Sequence, residues 1–215
     1  MAVMTELVAL EQERRAKRPA ELQAVMDQAT DDLAASGMAG GFLQVGDVAP
    51  DFVLPDALGN AVALADLRAQ GPVVLAFYRG AWCPYCNLEV QLLQQALPDI
   101  QALGATLVAI SPQTPDNSLS LAEKHGLAFP VLSDAGNAVA RRFGLVFTVP
   151  EALRAVYDKL GIDIPAHNGD GSFELPVPGT YVVGRDGTIA FAYANVDYTR
   201  RVAVRDILAA LRTAS

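Results

Sequence analysis

Cysteine is nearly absent from this chain of 215 residues: there are two, Cys83 and Cys86, separated by a proline and a tyrosine. So few cannot supply the dense disulfide framework of a small secreted fold. A zinc site takes four ligands, and the two histidines, His125 and His167, stand far from the cysteines without paired spacing. No metal and no cofactor is therefore expected. Basic residues are also scarce, 16 against 24 acidic ones for a net charge of -8, which argues against a nucleic-acid partner. No stretch reaches the roughly 18 apolar residues of a membrane span, so no membrane partner is expected either. The early residues include Glu6, Glu11 and Glu13 and lack the basic-then-apolar order of a signal peptide. The expected setting is the cytoplasm, where two closely spaced cysteines are more often catalytic than structural.

What the chain does have is enough apolar sequence, 52% of its residues, for a sizeable core. The run Val73 to Tyr78 reads as a buried strand, and Asn87 to Ala96 has helical spacing through Leu88, Leu92, Leu93 and Ala96. The cysteines thus fall at a strand-to-helix corner, just after Trp82. With Cys83 as N-cap, Pro84 takes the first helical position, where its fixed φ fits and its missing N–H costs nothing. The N–H groups of Tyr85 and Cys86 then point back toward the Cys83 sulfur, which favours thiolate over thiol.

Magnitudes show that this is not enough. A free cysteine titrates near about 8.5, and helix-start cysteines fall to roughly 3.5 to 7.5. A drop of about two units takes about 2.7 kcal/mol, whereas a helix dipole supplies about 0.3 to 1, or about 2 when partly buried. Direct hydrogen bonds and a cation must add the rest, and Arg79, Arg200 and Arg201 are the first candidates. Geometry restricts the pair further. Helical neighbours at i and i+3 have Cβ atoms about 5 to 6 Å apart, and a disulfide needs about 3.5 to 4.5 Å. A bridge forms only if the first turn tightens, which an N-cap position permits.

Residues 2–35 read as charged, Ala-rich helix broken at Pro19 and ending at Gly37 to Gly41, with Leu7, Leu10, Leu22, Val25, Met26 and Leu33 available for the core or for a partner subunit. After the corner come strand Thr106 to Ile110, helix Leu119 to Lys124, strand Val131 to Leu132 and helix Ala138 to Phe143. Such alternation argues a central sheet with parallel strands and helices on its faces. A helix over Pro150 to Leu160 and a turn-rich stretch, Pro165 to Ser172, read as an insertion ahead of the Pro178 strand, expected to cover the cysteine corner. His167 within it is either a general base or an exposed loop residue. The chain closes with strands Thr180 to Val183 and Thr188 to Tyr193 around Arg185-Asp186-Gly187, then a helix from Val202 to Arg212.

The stretch Val45-Gly46-Asp47-Val48-Ala49-Pro50-Asp51-Phe52, with Gly71-Pro72-Val73-Val74 running on to Trp82-Cys83-Pro84-Tyr85-Cys86, resembles the alkyl hydroperoxide reductase and thiol-specific antioxidant family. Within it, the CPYC motif is similar to that of a peroxiredoxin-like branch. The resemblance implies an α/β, thioredoxin-like fold: a central mixed β-sheet with helices on both faces, over residues 45–215, preceded by an N-terminal helical extension, residues 1–44. Family members carry Pro-x-x-x-Thr-x-x-Cys, with the last cysteine attacking peroxide. Laid on this chain, Arg79 stands at the proline, Cys83 at the threonine and Cys86 at the peroxidatic cysteine. The thioredoxin pattern makes Cys83 the nucleophile instead; for peroxide the resemblance implies Cys86 as the attacking sulfur, with Arg201 as the cation that polarises the substrate. Asp197-Tyr198-Thr199-Arg200-Arg201 resembles the family segment whose arginine holds the thiolate, with Arg201 preferred to Arg200. Val177-Pro178-Gly179-Thr180 resembles the thioredoxin-fold segment whose proline is cis and faces the cysteines; proline also opens strands, but beside the CPYC corner the resemblance implies cis.

The implied catalytic residues are Cys86, Cys83 and Arg201, and the implied substrate-binding residues are Pro178, Trp82 and Arg79. The implied activity is a peroxidase that reduces hydrogen peroxide or organic hydroperoxides through a dithiol–disulfide cycle. Its partners would be a small peroxide, an external thiol reductant (a thioredoxin, glutaredoxin or glutathione system) and a second copy in a homodimer. Two other readings stand beside it: thiol–disulfide exchange started by Cys83, and a non-catalytic redox sensor.

Overall fold

The computed structural model describes the backbone of residues 2–214 and the side chains from Glu6 to Ala214. Residues 1 and 215, the outer ends of the two predicted segments, lie outside the described residues. The chain opens with two helices, α1 (Ala2–Lys17) and α2 (Ala20–Ala35). They part at Pro19, where a proline has no N–H to continue the first helix but can stand ahead of the second. A small hairpin of β1 (Val53–Pro55) and β2 (Ala61–Ala63) and a short helix, α3 (Leu64–Gln70), lead into β3 (Val73–Phe77). Sequence periodicity missed the hairpin and α3, whose three- and seven-residue lengths are too short to show a period.

From β3 the chain passes through the cysteine corner into α4 (Pro84–Ala102), then β4 (Thr106–Ser111), α5 (Pro115–His125) and β5 (Val131–Ser133). The helix α4 runs past the predicted end at Ala96 and through Pro98, because Leu97 and Ile100 keep burying its apolar face. Next come α6 (Ala138–Arg142), β6 (Val146–Thr148), α7 (Glu151–Lys159), α8 (Ile164–Asn168) and β7 (Glu174–Pro176). The predicted turn-rich stretch therefore holds a short helix, opened by the Asp163 carboxylate accepting from the Ala166 N–H. The last elements are β8 (Gly179–Val183), β9 (Ile189–Ala194) and α9 (Val204–Leu211).

Five strands form the central sheet in the order β5-β4-β3-β8-β9. The β3–β4 and β4–β5 pairs are parallel, and β3–β8 and β8–β9 are antiparallel, so the sheet is mixed. Side chains alternate along β3 and give the two faces different partners. Val74 and Ala76 join the cluster of Val90, Leu93 and Ile100 from α4 with Ile207 and Leu211 from α9. Val73, Leu75 and Phe77 join Leu64, Val139 and Phe143 on the other face. The fold is thus a thioredoxin-like α/β sandwich.

Several apolar residues of the N-terminal helices pack within the chain, while Val8 stays exposed. Leu7 enters the α4 cluster at 3% exposure, and Met26 packs against Leu153, Val156 and Tyr157 of α7.

One expectation fails here. The described residues contain no cis peptide bond, so Val177–Pro178 is trans. The Val177 N–H donates to the Leu145 carbonyl and Gly179 pairs with Phe77, so the chain runs extended from β7 into β8 and Pro178 simply opens a strand.

Candidate active site

The cysteine corner is built from the end of β3 outward. The Tyr78 N–H continues the ladder to the Ile110 carbonyl, and the chain then turns at Gly80, whose φ of 147° few other residues adopt. A Cβ there would lie 2.5 Å from the Trp82 Nε1, so glycine is required by space as well as by conformation. The Ala81 N–H donates to Gln113 and the Asn87 side chain donates to the Ala81 carbonyl, holding the loop from both sides. Cys83 is the N-cap of α4, extended at φ -89° and ψ 113°, and Pro84 begins the helix. Its carbonyl accepts the first helical hydrogen bond from Asn87.

Both thiols are reduced and buried, but their surroundings differ. Cys83 lines a cavity of about 410 Å³ together with Arg79, Trp82 and Tyr198. Cys86 does not reach that cavity. Burial alone would push the Cys83 thiol up; the hydrogen bond from Cys86 and the guanidiniums of Arg79 and Arg201 outweigh it and bring it down to about 6. The Cys86 N–H adds a smaller influence of the same sign. It acts as a nearby dipole, since no capping hydrogen bond is closed at the Cys83 side chain. Cys86 moves the other way, well above the ordinary range, because it is buried and then because it donates to Cys83 and faces its charge. The pair behaves as one titrating unit in which the first proton leaves easily and the second does not.

Two arginines frame the pair. The Arg201 Nη2 donates to the Cys86 sulfur at 3.2 Å, its Nε donates to Glu89, and its Nη1 donates to the carbonyls of Tyr198 and Arg200. Arg201 and Glu89 are 3% and 6% exposed, which makes this a sealed ion pair. Burial raises Glu89 to about 7 against the opposing pull of Arg201. Arg79, at 2% exposure, is held by aromatic faces: its Cζ lies 4.6 Å from the Tyr198 ring centroid, 4.9 Å from Trp82 and 5.6 Å from Tyr157. Such contacts contribute about 2 kcal/mol or more when desolvated. Its Nη2 also donates to the Tyr157 hydroxyl.

The sequence model of the AhpC/TSA family matches residues 45–192. The chain belongs to that family. A Mycobacterium tuberculosis protein carrying a peroxiredoxin name is 34% identical over 161 residues, covering 75% of this chain and 91% of that one. Peroxiredoxin Bcp of Escherichia coli is 35% identical over 103 residues, covering 48% of this chain and 65% of that protein. Among solved structures, the peroxidoxin BcpB of Mycobacterium tuberculosis superposes with a TM-score of 0.63 at 25% identity, over 80% of this chain and 99% of that one. This AhpC/TSA member is a thiol-dependent peroxidase, with a peroxide as substrate and a thiol as reductant. No described helix is long and apolar enough to cross a membrane.

Within this family member the structure brings Cys83, Cys86, Arg201, Arg79 and Trp82 together. Pro178 sits apart, on a neighbouring cavity of about 200 Å³ that shares Met26, Arg79, Tyr157 and Tyr198 with the Cys83 cavity. Arg200 is outside the site and pairs with Asp197 at the surface. His167 lies near Gln113, with their side-chain nitrogens 3.5 Å apart, and does not line the Cys83 cavity. Sequence reasoning missed Glu89, Tyr157 and the Glu11 carboxylate that accepts from the Tyr85 hydroxyl. Glu89 had a signal: it falls three residues after Cys86, a carboxylate among the buried positions of α4.

Proposed function

We infer that the peroxidase runs as a two-cysteine cycle in which Cys83 meets the peroxide and Cys86 resolves. The observation that carries this reading is the division between the sulfurs: Cys83 borders the cavity and is the acidic one, whereas Cys86 is fully buried and retains its proton. The family pattern favours the opposite order, and Arg201 beside Cys86 is its best support. Access decides between them, since a peroxide must reach the sulfur before any donor can polarise it.

The Cys83 thiolate attacks the terminal peroxide oxygen, the O–O bond breaks, and Cys83 becomes a sulfenic acid. The leaving alkoxide takes the proton that Cys86 had shared with Cys83. That leaves a Cys86 thiolate beside the Arg201 guanidinium, which stabilises it. The Cys86 thiolate then attacks the Cys83 sulfur, the S–O bond breaks, and hydroxide leaves to be protonated as water. The first turn of α4 tightens as the disulfide closes, which the extended N-cap geometry of Cys83 allows. Two electrons from an external thiol system of the thioredoxin, glutaredoxin or glutathione type restore the dithiol.

This cycle depends on a reducing thiol pool, so the cytoplasm is the compartment it assumes. Residues 1–44 act as an extension roofing a site made by residues 45–215. A homodimer would have to use other surface, because Leu7, Leu10, Leu22 and Met26 already pack within the chain. The test is peroxide consumption with an excess of small thiol, alongside the intact mass of the oxidised protein. Catalytic turnover with a loss of two hydrogens per monomer is expected. Slow oxidation without turnover would replace the enzyme with a sensor, and faster reduction of insulin disulfides than of peroxide would favour exchange.

A further inference from the structure

The cavity at Cys83 carries the wrong charge for the chain that contains it. The protein is acidic, with a net charge of -8, yet the cavity is lined by Arg14, Lys17, Arg18 and Arg79 against a single carboxylate, Glu13. Glu13 is already neutralised by Lys17 at 2.5 Å. Among the described residues neither Arg14 nor Arg18 closes an ion pair: Arg14 is near enough to Glu13, and Arg18 to Asp27, to act only through space, and the Arg18 side chain donates to the neutral Gln23. An uncharged peroxide has no use for such a lining. At about 410 Å³ the space is also larger than a small peroxide needs and falls in the range of small-molecule sites, roughly 300 to 1,000 Å³.

Size argues in the same direction. Cys83 is 1% exposed and α1 stands over it, contributing Leu10, Glu13, Arg14 and Lys17 to the cavity wall. A protein reductant would need to bring its own cysteine to this sulfur and would meet α1 first. A small thiol enters without moving the helix.

We propose that the cavity is the docking site of the reductant and that the reductant is a low-molecular-weight thiol bearing carboxylate. This deepens the reading given above and rests on Cys83 being the sulfur at the cavity. In the reductive half of the cycle a thiolate of this compound attacks the Cys83 sulfur, the Cys83–Cys86 bond breaks, and Cys86 leaves as a thiolate beside Arg201. The mixed disulfide on Cys83 is then attacked at its outer sulfur by a second thiolate of the same compound. That step releases the small-molecule disulfide and returns the Cys83 thiolate, while Cys86 recovers a proton from water. Two small thiols lose two electrons and the protein disulfide gains them. The cationic lining concentrates the anion, an effect on rates of about 10 to 10³-fold that falls with ionic strength.

The experiment reduces the full-length protein, first oxidised with diamide, using three thiols of similar size: 3-mercaptopropionate, 2-mercaptoethanol and cysteamine. Rates are expressed per thiolate and divided by the rate of the same thiolate with a small uncharged disulfide, so that differences in thiol acidity and in intrinsic nucleophilicity drop out. In low salt the 3-mercaptopropionate rate should exceed the cysteamine rate by tenfold or more. That ratio should fall to threefold or less in 0.5 M salt and in the protein carrying Arg14→Gln, Lys17→Gln and Arg18→Gln. The ratio within each protein is the readout, so a general loss of reactivity in the variant does not imitate the effect. Equal rates for the three thiols, or a ratio unmoved by salt and by the substitutions, would overturn the proposal. So would a protein dithiol such as thioredoxin reducing the disulfide at low concentration, with 3-mercaptopropionate no faster than cysteamine. The peroxidase reading fails separately, if peroxide leaves the two cysteines unbridged in the mass spectrum; diamide makes the disulfide either way.

Discussion

The two sides of the first turn of α4 hold the same chemical group and treat it oppositely. On the cavity side, Cys83 has an aromatic-caged arginine, a basic approach and a path to solvent. On the core side, Cys86 is sealed beneath the Arg201–Glu89 pair with no exposure. The cysteines sit on one short motif, so the motif itself cannot tell them apart. Residues delivered by distant segments do: Arg79 from the end of β3, Arg201 from the loop before α9, and the wall formed by α1. A CxxC corner supplies a pair of thiols, and the surrounding fold assigns their roles.

Breaking the sealed side should have the largest effect on stability. Arg201→Met strands the Glu89 carboxylate in the core, and removing one partner of a buried pair costs about 3 to 5 kcal/mol. Urea unfolding should show that loss, and Arg201→Met combined with Glu89→Leu should recover much of it. A single-variant cost below about 1 kcal/mol would mean that the pair does not hold the core side together.

The cavity side is sharpened by pH. Because Cys83 is brought down to about 6, thiolate absorbance near 240 nm should rise with pH through a midpoint near 6, and peroxide oxidation should follow it. The same downward shift adds to folding stability above the ordinary thiol range, and that contribution disappears as the pH falls through about 6. Arg79→Met should move the midpoint up by about one unit, which at pH 6 means a several-fold slower reaction. An unchanged midpoint would leave Arg79 a packing residue only.

The smallest expected effect belongs to the rim. Glu11 accepts from the Tyr85 hydroxyl and pairs with the half-exposed Arg15, so Glu11→Gln should cost about 1 kcal/mol or less in urea unfolding. A loss of several kcal/mol would make α1 a structural member of the core rather than a cover.

The corner was legible in the sequence, but the division between its sulfurs was not: the resemblance points to Cys86 as the one that meets peroxide, and the limits are physical. Local sequence carries local structure, so the β3 run, Pro84 at the start of α4 and Cys83 as its N-cap could be read directly. Arg201 came from resemblance, and its contact with Cys86, 115 residues away in sequence, has no local signature. The Arg79–Tyr157 contact spans 78 residues and was equally invisible. Periodicity showed that the N-terminal helices had apolar faces but not what those faces cover, because spacing does not distinguish a chain's own core from a partner. Pro178 shows the reverse error. The resemblance implies a cis proline, and the Val177–Pro178 bond is trans just ahead of the paired strand β8.

The most direct test of the division between the sulfurs is dimedone trapping of peroxide-treated Cys83→Ser and Cys86→Ser, with the adduct mapped by mass spectrometry. The account predicts a sulfenic acid on Cys83 in the Cys86→Ser protein, formed at close to the wild-type oxidation rate, and no comparable reaction in Cys83→Ser. A rapidly formed adduct on Cys86 in the Cys83→Ser protein, with Cys86→Ser inert to peroxide, would contradict it.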